Sequence, residues 1–334
     1  MKIHHLPTAK TQPEEQSHLG KRILNYPCPC CGKLTFPVPK EEALAYICPN
    51  CWWENDVFDP GEDDPSDENR GMTLRQGREN YEKYGAVRFD LVKYANGRGG
   101  HFLRAALEYS DSGCLLWSLD FPGAFSRGRN REEAVAKLPA DVEAFCRWAG
   151  WSVPEGEVLI VEEKYQPGMK IEDADSDMLF EYERQPLTQK EYETLRALVL
   201  KSAHDFDQLY ASVPDPDTSL GEARETFYGD YPNTARKMYV HTNSVTAYYV
   251  GEVGTEVDNL PSFYENRING LAVLESAPDF LDLPVIEGSY GEAWSVRKVL
   301  RRFLWHDRIH ARAMYRRAKA IFGNQIVDPF RFDG

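Results

Sequence analysis

The spacing of apolar residues changes character several times along the chain. Residues 1–25 are polar and irregular and read as a tail. From His101 to Leu119, two apolar runs, HFLRAALEY and GCLLWSL, are split by Ser110-Asp-Ser-Gly113, which predicts two strands and a tight turn. Asn130, with Glu133 three residues later, is a capping pair for a helix beginning near Arg131. Pro139 is expected to break or restart that helix, and Glu157-Val-Leu-Ile-Val161 reads as a third strand. Beyond Pro186 the period is helical in four segments, about 188–212, 232–253, 262–282 and 292–322. Short connections between helices of that length favour an antiparallel four-helix bundle. The expected fold class is therefore multidomain α+β. Its parts are a tail (1–25), a cysteine-rich domain (26–90), an α+β module (100–165) and a helical bundle (186–325). No internal repeat is visible.

Composition narrows the function. The chain has 334 residues, with 39 Lys and Arg against 53 Asp and Glu, a net charge of -14. That balance disfavours a general nucleic-acid binder, which needs a cationic surface to displace condensed counterions. It offers no cationic patch for anionic lipid either. No apolar stretch approaches the ~20 residues that span a bilayer. The start, MKIHHLPTAKTQPEEQ, lacks the apolar segment of a secretory signal, so a cytoplasmic location is expected. No phosphate loop, nucleophile elbow or dinucleotide fingerprint occurs, so no nucleotide cofactor is expected.

Five of the seven cysteines fall between residues 28 and 51. Cys28-Pro-Cys-Cys31-Gly32 and Cys48-Pro-Asn-Cys51 form two CxxC units with 16 residues between them, inside the spacing of zinc-binding knuckles. Four thiolates suit tetrahedral Zn²⁺, and a site closed by four protein ligands is structural. Cys30 is left over. An acidic run follows, with eight carboxylates between Glu54 and Glu68; it lacks the D-x-D-x-D-G order of a calcium loop and reads as a solvated tail. CPCCG at 28–32, ICPNCWWEND at 47–56, the acidic run and TLRQGRENYEKYG at 73–85 together resemble the cysteine-rich CPCC domain. That resemblance implies a small metal-dependent fold, zinc-ribbon-like in character.

YSDSGCLLWSLDFPGAFSRGRNREEAVAKL resembles the first part of a HicB-type antitoxin domain. The resemblance rests on Asp120-Phe-Pro122-Gly123, Ser126-Arg-Gly128 and Asn130-Arg-Glu-Glu-Ala134. It implies a small α+β module; the pattern departs at Pro139, and no DNA-binding tail follows.

Helical projection sorts the histidines. At about 100° per residue, His306 and His310 fall within about 20° of Val299, on the apolar stripe of the last segment and one turn apart. His241 lies on the inward side of the second segment, whereas His204 falls on the outer face of the first. Three inward histidines on two helices can hold a divalent ion, Zn²⁺, Ni²⁺ or Mn²⁺, with a position left open for water or substrate. Asp307 and Tyr249 are candidate assisting groups, and no catalytic residue is assigned. The last segment carries nine Lys or Arg between 297 and 319. Arg301, Arg308, Arg312 and Lys319 project away from the core, which predicts a solvated face or, alternatively, docking of the acidic segments or of an anionic partner.

ARKMYVHTNSV at 235–245 and VRKVLRRFLWHDRIHARAMY at 296–315 resemble the DinB/YfiT superfamily of metal-binding bundles. The resemblance implies that His241, His306 and His310 are metal ligands. It also implies chemistry in which a low-molecular-weight thiol is transferred to a small electrophile. The leading expectation is a metal-dependent thiol transferase or related small-molecule enzyme. The competing one is a non-catalytic, metal-stabilised interaction protein, toxin–antitoxin-like or stress-related.

Overall fold

In a computed structural model the described residues are 26–95, 102–174, 176, 178–222, 225–226, 229–230 and 232–333. The tail 1–25 and most of the YANGRGG stretch lie outside them.

The cysteine-rich part opens with a short antiparallel pair, β1 (Tyr26–Pro27) and β2 (Leu34–Phe36), and ends in helix α1 (Leu74–Tyr84). Thr73 and Gln76 close a reciprocal capping box at the start of α1, and Gly85 ends it in the left-handed conformation. The acidic run is solvated, as expected, with Asp59, Glu62, Asp63, Asp64, Asp67 and Glu68 exposed, but it is a tethered loop rather than a tail. Buried Asp56 accepts hydrogen bonds from the Ser66 hydroxyl and the Phe58 amide, while Glu62 and Asp63 pair with Arg78 and Arg75 of α1. Cations spaced along α1 anchor what local composition suggests should float.

Strands β3 (Phe102–Ser110), β4 (Gly113–Ser118) and β5 (Phe125–Gly128), helix α2 (Arg131–Ala149) and strand β6 (Glu157–Tyr165) follow. The sheet order is β5-β4-β3-β6; β6 joins parallel to β3, so α2 is the crossover between β5 and β6. Both sheet faces are covered, which is why the runs are apolar throughout rather than alternating. Leu103, Ala105, Leu107 and Leu116 pack toward α2; Ala106, Leu115 and Trp117 pack under Met169, Met178, Phe180 and Trp305. Asn130 caps α2 as expected, accepting from the Glu133 amide. Pro139 does not break α2, which runs unbroken to Ala149. Leu138 and Val142 beside it are fully buried, and that packing outweighs one lost backbone hydrogen bond.

The helical part consists of α3 (Gln189–Ala211), hairpin strands β7 (Glu225–Thr226) and β8 (Gly229–Asp230), α4 (Ala235–Gly251), α5 (Phe263–Ser276), strands β9 (Ile286–Glu287) and β10 (Ala293–Trp294), and α6 (Val296–Phe322). α3 and α4 each pack against α5 and α6 but scarcely against each other, so these successive helices sit diagonally. α3 ends at Ala211 and α4 begins at Ala235, so these two are joined by a long connection, where sequence suggested short links between neighbours. α6 begins at Val296 rather than 292, because Ala293 and Trp294 pair with β9 and Ser295 supplies the cap.

One hydrophobic core runs from β3, β4 and α2 through all four bundle helices. α6 is its axis: every residue from Val296 to Arg308 is buried. The solvated face expected for Arg301, Arg308 and Arg312 is therefore corrected; docking of the chain's own acids prevails at Arg301 and Arg312, while Arg308 packs on aromatic rings. Arg301 donates to both oxygens of Glu183 at 2.6 and 3.0 Å, Arg312 pairs with Asp141, and Arg308 lies among the rings of Phe145, Trp148 and Phe332. Lys319, half-exposed, meets Asp333.

Candidate metal centres

The two cysteine knuckles are built alike. In the first, the Gly32 amide donates to the Cys28 carbonyl at 2.9 Å and the Cys28 amide to the Lys33 carbonyl at 2.8 Å. In the second, Trp52 donates to Cys48 at 2.8 Å and Cys48 to Trp53 at 2.9 Å. Gly32 takes the left-handed conformation that such a turn requires; in the second knuckle Trp52 occupies it, at φ +66°. The turns bring Cys28, Cys31, Cys48 and Cys51 together, with every sulfur within 4.8 Å of the others. Cys28 and Cys51 sulfurs are 3.7 Å apart, as are those of Cys31 and Cys48. Crowding of the four sulfurs holds Cys31 and Cys48 low and pushes Cys28 and Cys51 up. A cation among the four sulfurs would displace the protons that remain on them. The Thr35 hydroxyl lies 3.1 Å from the Cys48 sulfur; nothing in the spacing signalled that contact. Arg78 of α1 donates to the Pro29 carbonyl, and Gly77 lets α1 lie on Trp53, where a Cβ would stand 2.9 Å from the indole. Cys30, buried beside Gly77, is not among the four.

The second cluster forms where α4 crosses α6. His306 and His310 are buried, one turn apart, and His241 reaches them from α4 half-buried. Ring centroids stand 5.1 Å (241–306), 4.7 Å (241–310) and 4.5 Å (306–310) apart, and one nitrogen from each ring lies within 4.8 Å of the other two. Burial lowers the basicity of all three; for His306 the neighbouring imidazoles add to it. The rings are therefore neutral near pH 7, the form that coordinates metal. The Nδ1 of His306 is buried with no hydrogen-bond partner among the described residues. A buried polar atom in that condition is costly unless something accepts its lone pair or proton. The donor set and the unpartnered nitrogen both fit a divalent cation. His204 lies exposed, as projection placed it.

Of the two candidate assisting groups, Asp307 is committed elsewhere. Its carboxylate takes two hydrogen bonds from Arg267 of α5, at 3.0 and 3.1 Å, with both side chains wholly inaccessible. Burial raises the Asp307 pKa, and Arg267 opposes that rise. Arg267 was not singled out by sequence; a buried arginine on α5 has no local signature. The Tyr249 ring stands 6.1 Å from that of His306. On the opposite side Gly123, at φ +95°, presses the Pro122-Gly123 turn onto α6, and a Cβ there would come within 3.1 Å of Leu304. The sheet thus braces the helix that carries the histidine pair.

A surface cavity of about 370 Å³ adjoins the cluster, lined by Pro232, Arg236, Lys237, Val240 and His241. No helix among the described residues is long and apolar enough to cross a membrane. No curated protein and no solved structure shows detectable similarity to the chain. Residues 26–97, which carry the four-cysteine cluster, match the family described as cysteine-rich CPCC.

Proposed function

We propose that this protein is a metal-dependent small-molecule enzyme with a structural Zn²⁺ in its four-cysteine cluster and a catalytic divalent ion held by His241, His306 and His310. The observation that carries the reading is the convergence of three imidazoles from two helices, one with a buried nitrogen unpartnered among the described residues. Three protein ligands leave a coordination position open, as in catalytic sites, whereas four thiolates leave none. A bound divalent ion would lower the pKa of a thiol so that its thiolate prevails near neutral pH. The residues do the rest: Arg267 and Asp307 lock α5 to α6 beside His306, buried Phe303 and Tyr249 exclude water, and half-buried His241 faces the cavity. With the DinB-like resemblance of 235–245 and 296–315, this arrangement supports transfer of a thiol to a small electrophile.

Metal content of the untagged chain beside a His306→Ala/His310→Ala double variant tests this. About two ions in the wild type and one in a folded variant, with thiol consumption in the presence of a haloarene only for the wild type, support the proposal. One ion in both proteins after deliberate metal loading overturns it and leaves a metal-stabilised interaction protein as the reading.

A further inference from the structure

The cavity beside His241 has a charge pattern that the fold does not require. A helix N-terminus carries partial positive charge and favours acids in its first turn. α4 has no acid there; Arg236 and Lys237 occupy its second and third positions. α6 also starts with two cations, Arg297 and Lys298, but each meets a carboxylate, Glu191 and Glu292 respectively. In α4 the match is weaker. Arg236 is held by Asp217 in an exposed pair, and the Lys237 ammonium donates to the Asn233 side-chain oxygen at 3.2 Å. Of the two cations at this helix end, Lys237 alone meets no carboxylate among the described residues. Local rules are broken in this way at functional or strained sites.

Register ties this charge to the histidines. Lys237 precedes His241 by one turn, about 6 Å along α4, on the same helical face. Arg236 and Val240 form the adjoining stripe, and Val240, 60% exposed, gives the cavity an apolar wall with Pro232. His241 is the only member of the triad that is more than marginally exposed. His241 and Lys237 line the cavity together.

We propose that the cavity bounded by Pro232, Arg236, Lys237, Val240 and His241 is the second subsite of the histidine centre, and that it selects a short thiol bearing a carboxylate. The acid lies against Lys237, the carbon chain against Val240 and Pro232, and the sulfur toward the three histidines. The inference rests on the functional reading above and adds the charge class of its thiol.

The test is calorimetric titration of the full chain, loaded with Zn²⁺, with 3-mercaptopropionate and with its neutral amide. In the wild type the acid binds about tenfold more tightly than the amide, the worth of one charge-assisted hydrogen bond. In Lys237→Gln that ratio falls toward one, and Lys237→Arg restores it; the amide's affinity is the same in all three. His306→Ala/His310→Ala binds neither thiol. Equal affinity for acid and amide in the wild type, or an unchanged ratio in Lys237→Gln, overturns the charge selection while leaving the metal centre in place. Failure of both thiols to bind the metal-loaded wild type overturns the centre and its subsite together.

Discussion

The two ligand clusters hold their donors by opposite means. The four cysteines come from two backbone turns between residues 28 and 51, and little beyond α1 and a few aromatic rings supports them. The three histidines, spread from 241 to 310, are held by a core that reaches from the sheet to the last helix and by ion pairs with no solvent access. In the first region the ligand set organises the fold; in the second the fold organises the ligand set. Removing a metal ion should therefore unfold one region and leave the other standing.

The largest effect is expected at the cysteines. Cys48→Ser, or chelation of the wild type, should abolish protection from hydrogen exchange across residues 26–95, because a segment this small draws its stability from the ion. Exchange in α3–α6 should be unchanged. If the bundle loses protection with the cysteine domain, the contrast between the regions is wrong.

Next comes the ion pair behind the histidines. Arg267→Met leaves Asp307 buried without a partner and should destabilise the bundle by about 3–5 kcal/mol in urea unfolding. Adding Asp307→Asn should recover part of that loss, since the penalty lies in the uncompensated charge. Protection in the cysteine domain should not change. A loss below about 1 kcal/mol for the single variant would mean that water reaches Asp307.

The turn that braces α6 should matter less. Gly123→Ala places a Cβ 3.1 Å from Leu304 at a φ of +95°, so a loss of about 1–3 kcal/mol is expected. Because Leu304 and Trp305 precede His306, metal affinity at the histidines should weaken as well. The four-cysteine site should not respond.

How much of this was legible in the sequence follows the same division. The knuckles were readable because both units are local, and a CxxC spacing fixes which sulfurs can meet. The histidine triad was readable by helical projection, since His241, His306 and His310 share inward faces whatever their helices pack against. What escaped was long-range pairing. Projection put Arg301 and Arg312 on an outer face; their partners Glu183 and Asp141 lie 118 and 171 residues away, and no window of sequence joins them. The same blindness hid Arg267 behind Asp307 and the long connection from α3 to α4. Pro139 misled for a related reason: a local helix breaker was overruled by the burial of Leu138 and Val142.

The effect of pH separates the regions by sign. Glu162, on β6, is buried and accepts from the Glu181 amide; desolvation, with Glu181 and Glu183 close by, pushes its pKa up to about 8. An acid with a raised pKa binds more protons folded than unfolded between about pH 4.5 and 8. Its contribution to stability is thus fully present below that window and is lost as pH rises through 8. Glu162→Gln keeps an acceptor for the Glu181 amide and cannot ionise. Urea midpoints measured at pH 6 and pH 8.5 should fall for the wild type and stay level for the variant. The cysteine domain should move the other way, because its thiols must lose protons to bind metal and hold it more tightly as pH rises. A wild type whose sheet and bundle gain stability between those pH values would show that Glu162 is already ionised at pH 6, with water reaching it behind β6.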